Sequence, residues 1–200
     1  LRHNTSPRGI AEEHIYELQQ ELLKEGSYII GLKADDPSDL APKATVSASS
    51  QRTLESGEVM VAENVINGIP RAENDCSNAW CPAPEAEPPH WVELRWREPI
   101  TFNVIHVNFQ TINLAPEAFS IEIQQNNEWQ RVAEITDNRH RRHVLGFEKM
   151  TASAVRIVLP KEACGISEVR VYEEPAEIVA AAQRAHHTMR LPDKGPFLPW

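Results

Sequence analysis

The chain contains no apolar run near the ~18 consecutive residues that a membrane-spanning helix needs, which excludes such a helix. Positive charge is also in short supply: 20 Lys and Arg stand against 29 Asp and Glu, a formal charge of −9. That balance argues against general nucleic-acid binding, which relies on a basic face. Cysteine is scarce, and the 3 present cannot all pair with one another. Neither a G-x-S-x-G elbow nor an H-E-x-x-H pair occurs, so two common hydrolase signatures are missing. Carboxylate pairs of the glycosidase kind can be drawn on any acidic chain, and no pair is singled out by its context. No internal repeat is visible. The absence of an apolar leader after Leu1 suggests a fragment or a processed product. Catalysis within this stretch is not expected.

What is present is a chain able to bury a core, 41% hydrophobic and 24% charged over 200 residues. Ile15, Leu18, Leu22 and Leu23 follow i, i+3, i+7, i+8 spacing, which predicts a helix running from Ser6-Pro7 towards Gly26. A connector, "KADDPSDLAPKA", follows and marks a boundary near residue 40. From Ala44 the period changes to two. "ATVSASS", "WVELRW", "VIHVNF", "FSIEIQ", "WQRVAEI", "HVLGF", "AVRIVL" and "SEVRVY" each alternate apolar and polar residues. Turn material, "REP", "NLAPE", "QNNE", "TDNR", "EKMTAS" and "KEACG", separates them. Short alternating strands without intervening helices predict an all-β antiparallel sandwich over 41–174. Residues 1–40 read as a helical linker, and 175–200 as a short helix opened by Pro175 and a proline-rich tail. Ile178, Ala182 and Ala185 form the expected apolar side of that helix.

Several residues invite a chemical reading. Cys76 and Cys81, spaced C-x4-C, lack the second ligand pair of a structural zinc site and are not a C-x-x-C redox motif. They remain disulfide candidates if their Cα atoms come within about 7 Å, a bond suited to a periplasmic or secreted setting. Cys164 reads as a small buried hydrophobe. His140, His143, His186 and His187 have no partners at metal-site spacing and are expected to be solvated. The basic island Arg139–His143 reads as a solvated turn or exposed strand. Trp96 is in phase with Val92 and Leu94 and belongs to the core, whereas Trp80, Trp91 and Trp129 are either packing residues or sugar platforms. His90 and Phe197 are the weaker aromatic candidates for a loop-end site.

"ATVSASS", "ENVINGI", Trp80 and "HWVELRW" with "EPI" resemble the opening half of a discoidin-type, galactose-binding-like domain. "FSIEIQQNNEWQRVAEI", "AVRIVL" and "ISEVRVYE" resemble its second half. The resemblance implies a jelly-roll-like β-sandwich. It also implies a structural calcium where the Asp-Gly loop of that family meets its last strand. Here Asn67 stands in place of the aspartate, Gly68 keeps the turn, Glu168 matches the closing glutamate, and the carbonyls of Asn64 and Ile69 are the other donors. The bland reading is a type I′-compatible turn at Asn67-Gly68 and a Glu168–arginine pair.

A narrower resemblance concerns the junction "HIYELQQELLKEGSYIIGLKADDPSDLAPKATVSASS", which is similar to that of bacterial FAD-dependent oxidoreductases. "VNFQTINL" and "GISEVRVYEEP" are also similar to the C-terminal module of those enzymes. It implies a non-catalytic accessory domain that packs against an upstream flavin domain or binds a ligand beside it. No G-x-G-x-x-G turn lies in this chain, so FAD would belong to that missing domain. The alternative is a carbohydrate-binding module acting on its own, with a glycan as partner and with neither nucleic acid nor membrane involved.

Overall fold

In a computed structural model of the chain, the residues described are 36–69, 78–110, 115–138, 140–161 and 164–188, without the side chains of 181 and 184–188. The expected linker helix, the proline-rich tail and Phe197 lie outside them. The described residues belong to one compact unit.

The alternating segments form six strands: β1 (Thr45–Ala48), β2 (His90–Phe109), β3 (Phe119–Gln125), β4 (Glu128–Ile135), β5 (Arg142–Leu159) and β6 (Ile166–Tyr172). All pairings are antiparallel, in the order β1-β2-β5-β3-β4, with β6 on β2. The turns expected at "REP" and "EKMTAS" are not turns. Each lies inside a long strand, so eight expected strands become six.

The register explains how these long strands build two layers. The first half of β2 pairs with β1 and with the last residues of β5, while its second half pairs with β6 and the first residues of β5. β3 joins only the second half of β5. One layer is therefore β1, β2, β5, β3 and β4, and the other is β6, β2 and β5. A register shift between Arg95 and Ile100 marks the crossing. Bulges of this kind let a strand bend from one sheet to the next. Pro99, which cannot donate to a ladder, is tolerated because it falls in that unpaired stretch.

Alternation then sorts the side chains. Val92, Leu94, Trp96, Ile121, Ile123, Val155 and Ile157 of the first layer meet Ile105, Val107, Phe109, Val169 and Val171 of the second. Each such side chain taken fully out of water contributes about 1.5–3 kcal/mol. Trp80 is completely buried in the same core. It bridges Ile166 through its backbone, and its indole N–H donates to the Ser50 carbonyl at 2.9 Å.

Two local details differ from expectation. Asn67 has φ −81° and ends the 3-10 helix Ala62–Ile66, so only Gly68, at φ 78°, is left-handed. The type I′ geometry belongs instead to Asn126-Asn127, φ 51° and 65°, in the β3–β4 hairpin. The C-terminal helix α1 (Ala176–Thr188) follows Pro175, whose carbonyl accepts the N–H groups of Ile178 and Val179 at 3.0 and 3.2 Å. Among its described side chains Val179 and Ala182 are buried and Ile178 is only half-buried, while the Ala185 side chain lies outside them. The face turns because Gly146 of β5 lacks a side chain. A Cβ there would sit 2.9 Å from the Val179 carbonyl oxygen.

Candidate functional site

β6 is the outer strand of the smaller layer, and residues 39–40 close its free edge. The Val171 N–H donates to Asp39 Oδ1 at 3.0 Å, and the Leu40 N–H donates to the Val171 carbonyl at 2.8 Å. Asp39 Oδ1 also accepts the Ala41 N–H at 3.0 Å. Burial raises the Asp39 pKa to about 6, against the opposing pull of these two N–H groups.

Between this segment and the Ile66–Gly68 turn lies a cavity of about 340 Å3. Pro37, Pro42 and Ile66 give it apolar walls, and Asp36, Asn67 and Arg170 line it with polar groups. Glu168, also in the lining, is 1% exposed and Arg170 3%. Two positions apart on one strand, their side chains share a face. Arg170 Nη2 lies 2.5 Å from Glu168 Oε1, and the Asn108 amide donates to Glu168 Oε2 at 2.7 Å. Burial acts to lower the Arg170 pKa, but its bonds to Glu168 and Tyr172 outweigh that and hold it above the ordinary value. Arg170 Nε and Asn108 Oδ1 are buried without a hydrogen-bond partner among the described residues. Opposite Arg170 in register stands His106, whose pKa is lowered to about 3, first by burial and then by the Arg170 charge.

Of the four residues expected to hold calcium, the fold places Asn67 and Glu168 on this cavity. Asn64 and Ile69 join Asn67 in an amide cluster with Asn78, a residue the sequence reading did not select. Asn67 Nδ2 donates to Asn78 Oδ1 at 2.6 Å, Asn67 Oδ1 accepts the Ile69 N–H at 3.0 Å, and the Asn78 amide donates to the Ile69 carbonyl. Asn64 Nδ2 donates to the Ala79 carbonyl at 3.1 Å. Calcium takes about six to eight oxygen ligands, charged carboxylates among them. Here Glu168 is the one carboxylate of the four residues, and its charge is already met by Arg170 Nη2 on Oε1 and the Asn108 amide on Oε2. No group of three or more His, Cys, Asp or Glu side chains among the described residues is arranged to hold a metal. The donor set does not fit calcium.

The other candidates are dispersed. Cys76 lies outside the described residues, so its pairing with Cys81 does too; Cys81 is buried beside Met60 and Ala79. Cys164 is buried in the core, as expected. The histidine reading needs correction: His143 is 3% exposed, in edge contact with Phe119 at 4.8 Å, and its Nε2 meets Asn138 Oδ1 at 3.0 Å. Its place on the inner side of β5 outweighs its basic neighbours. Arg141 likewise turns back to donate to the Phe109 carbonyl at 2.8 Å. His90 is buried at the start of β2 and offers no loop-end aromatic face.

A feature invisible in the sequence lies on the outer face of the larger layer. Register places Ser47, Glu93, Arg156, Glu122 and Arg131 in one row across five strands. Arg156 donates to Glu122 Oε2 through Nε and Nη2, at 2.8 and 2.6 Å, and lies 4.1 Å over the Trp129 ring. Trp129 is thus a packing residue, and Trp96 donates its indole N–H to the Leu40 carbonyl at 2.8 Å from within the core.

A family model, the F5/8 type C domain, matches residues 45–171. The chain belongs to that family. The F5/8 type C domain is also similar to solved structures. Chitosan-binding module 1 from a chitosanase/glucanase of Paenibacillus sp. IK-5 is 20% identical, with 67% of this chain and 98% of that one covered and a TM-score of 0.53. The family 32 carbohydrate-binding module of NanJ from Clostridium perfringens, in complex with galactose, is 17% identical, with coverages of 68% and 98% and a TM-score of 0.56. SpGH29 is 21% identical over 68% of this chain and 28% of its own, with a TM-score of 0.53. At these identities the likeness is one of fold. No curated protein matches the chain significantly. These likenesses carry no indication of the flavin-linked parent that the junction resembles.

Proposed function

We propose that this F5/8 type C domain is a non-catalytic carbohydrate-binding module and that the cavity beside β6 holds the sugar. The observation that carries the reading is the pairing, in one cavity of about 340 Å3, of apolar walls with hydrogen-bonding side chains. Ligand pockets span roughly 300–1,000 Å3 and combine these two kinds of lining. Pro37, Pro42 and Ile66 suit the C–H face of a pyranose, and Asp36 and Asn67 suit its hydroxyls. The fold shared with a chitosan-binding module and a galactose-bound module supports the same reading. With Trp80 and Trp96 buried, no indole face is in the lining, so hydrogen bonds must provide most of the affinity. A millimolar dissociation constant, about −4 kcal/mol, is the scale expected.

Calorimetric titration with galactose and with chitooligosaccharides tests this directly. Binding that Asp36→Ala and Asn67→Ala both weaken at least tenfold supports the cavity. Heat-silent titrations with every sugar, together with an unresponsive glycan array, overturn the reading. The junction motif around residues 14–50 favours a second reading, docking against an upstream flavin domain. Purification of the parent chain decides that one: yellow flavin absorbance supports it, and a colourless parent counts against it.

A further inference from the structure

We propose that the Arg170 guanidinium supplies, from within the chain, the positive charge that a bound metal would bring to the floor of this cavity, so that the sandwich is independent of calcium. This inference does not rest on sugar binding and stands if no sugar binds.

The argument begins with Glu168. A carboxylate at 1% exposure loses its hydration, and such a charge persists only where a counter-charge and hydrogen bonds replace water. Two solutions are open to a fold: an ion drawn from solution or a cation built into the sequence. The alternation of β6 puts Arg170 on the same face as Glu168, two positions on. Its Nη2 lies 2.5 Å from Oε1, while Asn108, directly opposite in register on β2, takes Oε2 at 2.7 Å. The remaining nitrogens of Arg170 are themselves buried, Nη1 lying 3.4 Å from the Tyr172 hydroxyl. The guanidinium is thus enclosed at the same depth as the carboxylate. A divalent cation entering beside Glu168 would meet this charge at contact distance, and like charges in such a site repel strongly.

The oxygens on the other side of the cavity point the same way. Asn67 carries a neutral amide, and its oxygen accepts the Ile69 N–H. The Ile69 carbonyl accepts from Asn78. Asp39, a further carboxylate in the lining, uses Oδ1 to hold the N–H groups of Ala41 and Val171. Glu168, Asp39, Asn67 and the Ile69 carbonyl each thus already accept from donors of the chain itself.

The test is thermal melting of the whole chain in chelator and in millimolar calcium. Wild type is expected to melt at one temperature in both, and a calcium-dependent rise overturns the proposal. Arg170→Met is expected to melt several degrees lower, because it leaves Glu168 buried and unpaired. In that background Glu168→Gln removes the orphaned charge and is expected to recover part of the loss. The double variant also keeps the test readable if Arg170→Met alone does not fold. A double variant that melts no higher than Arg170→Met overturns the assigned role of Arg170 as counter-charge.

Discussion

The carboxylate of Asp39 accepts the backbone N–H of Val171 at 3.0 Å, joining residues 132 positions apart and closing the edge of β6. Burial raises the pKa of this carboxyl from 3.8 to about 6. The folded state therefore holds the proton more tightly than the unfolded state does. For a raised carboxyl, stability is greatest below the unfolded value and falls as pH rises through the folded one. The window is about pH 4 to 6, and the full effect is on the order of 3 kcal/mol. Asp39→Asn keeps an acceptor for both N–H groups but does not ionise. Its melting temperature should fall less than wild type across that window and match or exceed it above pH 7. Parallel melting curves across the same pH series would sink the assignment.

Gly146 sets how closely α1 approaches β5. A Cβ there would lie 2.9 Å from the Val179 carbonyl oxygen and 3.1 Å from Gln183 Cγ, so the helix must shift. Gly146→Ala should cost about 1–3 kcal/mol as overpacking. Denaturant unfolding measures the loss, and hydrogen exchange should show faster opening across 176–188 than in β3. Unchanged exchange in the helix would contradict this account.

Arg156 is held twice, by Glu122 and by the face of Trp129. Lysine keeps the charge but not the planar two-point fork. The Arg156→Lys change should therefore cost about 1 kcal/mol, near the upper end for a partly exposed pair. Trp129→Ala should lower the cost of that same substitution in a double-mutant cycle. Strict additivity of the two changes would show that the stacking contributes nothing.

The Asn126-Asn127 turn carries two left-handed residues. Replacing Asn127 with glycine removes a side-chain penalty at φ 65° and should stabilise by under about 1 kcal/mol. Asn127→Val should destabilise by about 1–2 kcal/mol, since a β-branched residue fits that conformation poorly. Chemical denaturation of both variants provides the check, and equal midpoints would refute it.

How much of this was legible in the chain varies by element. The alternation at Val92-Leu94-Trp96 and at Phe119-Ile121-Ile123 identifies both the strands and their core faces, because side-chain direction in a strand is a local property. Likewise "QNNE" reads as a turn from its residues alone. "REP" and "EKMTAS" mislead, since whether a polar or proline-containing stretch turns or bulges depends on the strand opposite it. Val179 displaces Ile178 from the buried face of α1 for a similar reason, a gap at Gly146 contributed by β5. The family motif names Asn67 and Glu168 as calcium ligands, and the fold lines one cavity with both, but the motif said nothing of Asn78 or of the donors on Glu168.

By itself, then, the sequence determined the all-β character, the inward-facing residues of stretches such as Val92–Trp96 and Phe119–Ile123, and the turn between β3 and β4. These follow from the two-residue period and from the backbone preferences of single residues. Only the tertiary structure decided that β2 and β5 run through both layers, that Asp39 closes the β6 edge, and that the Glu168–Arg170 pair is buried against Asn108. Register and burial arise from partners far along the chain, and no local pattern carries them.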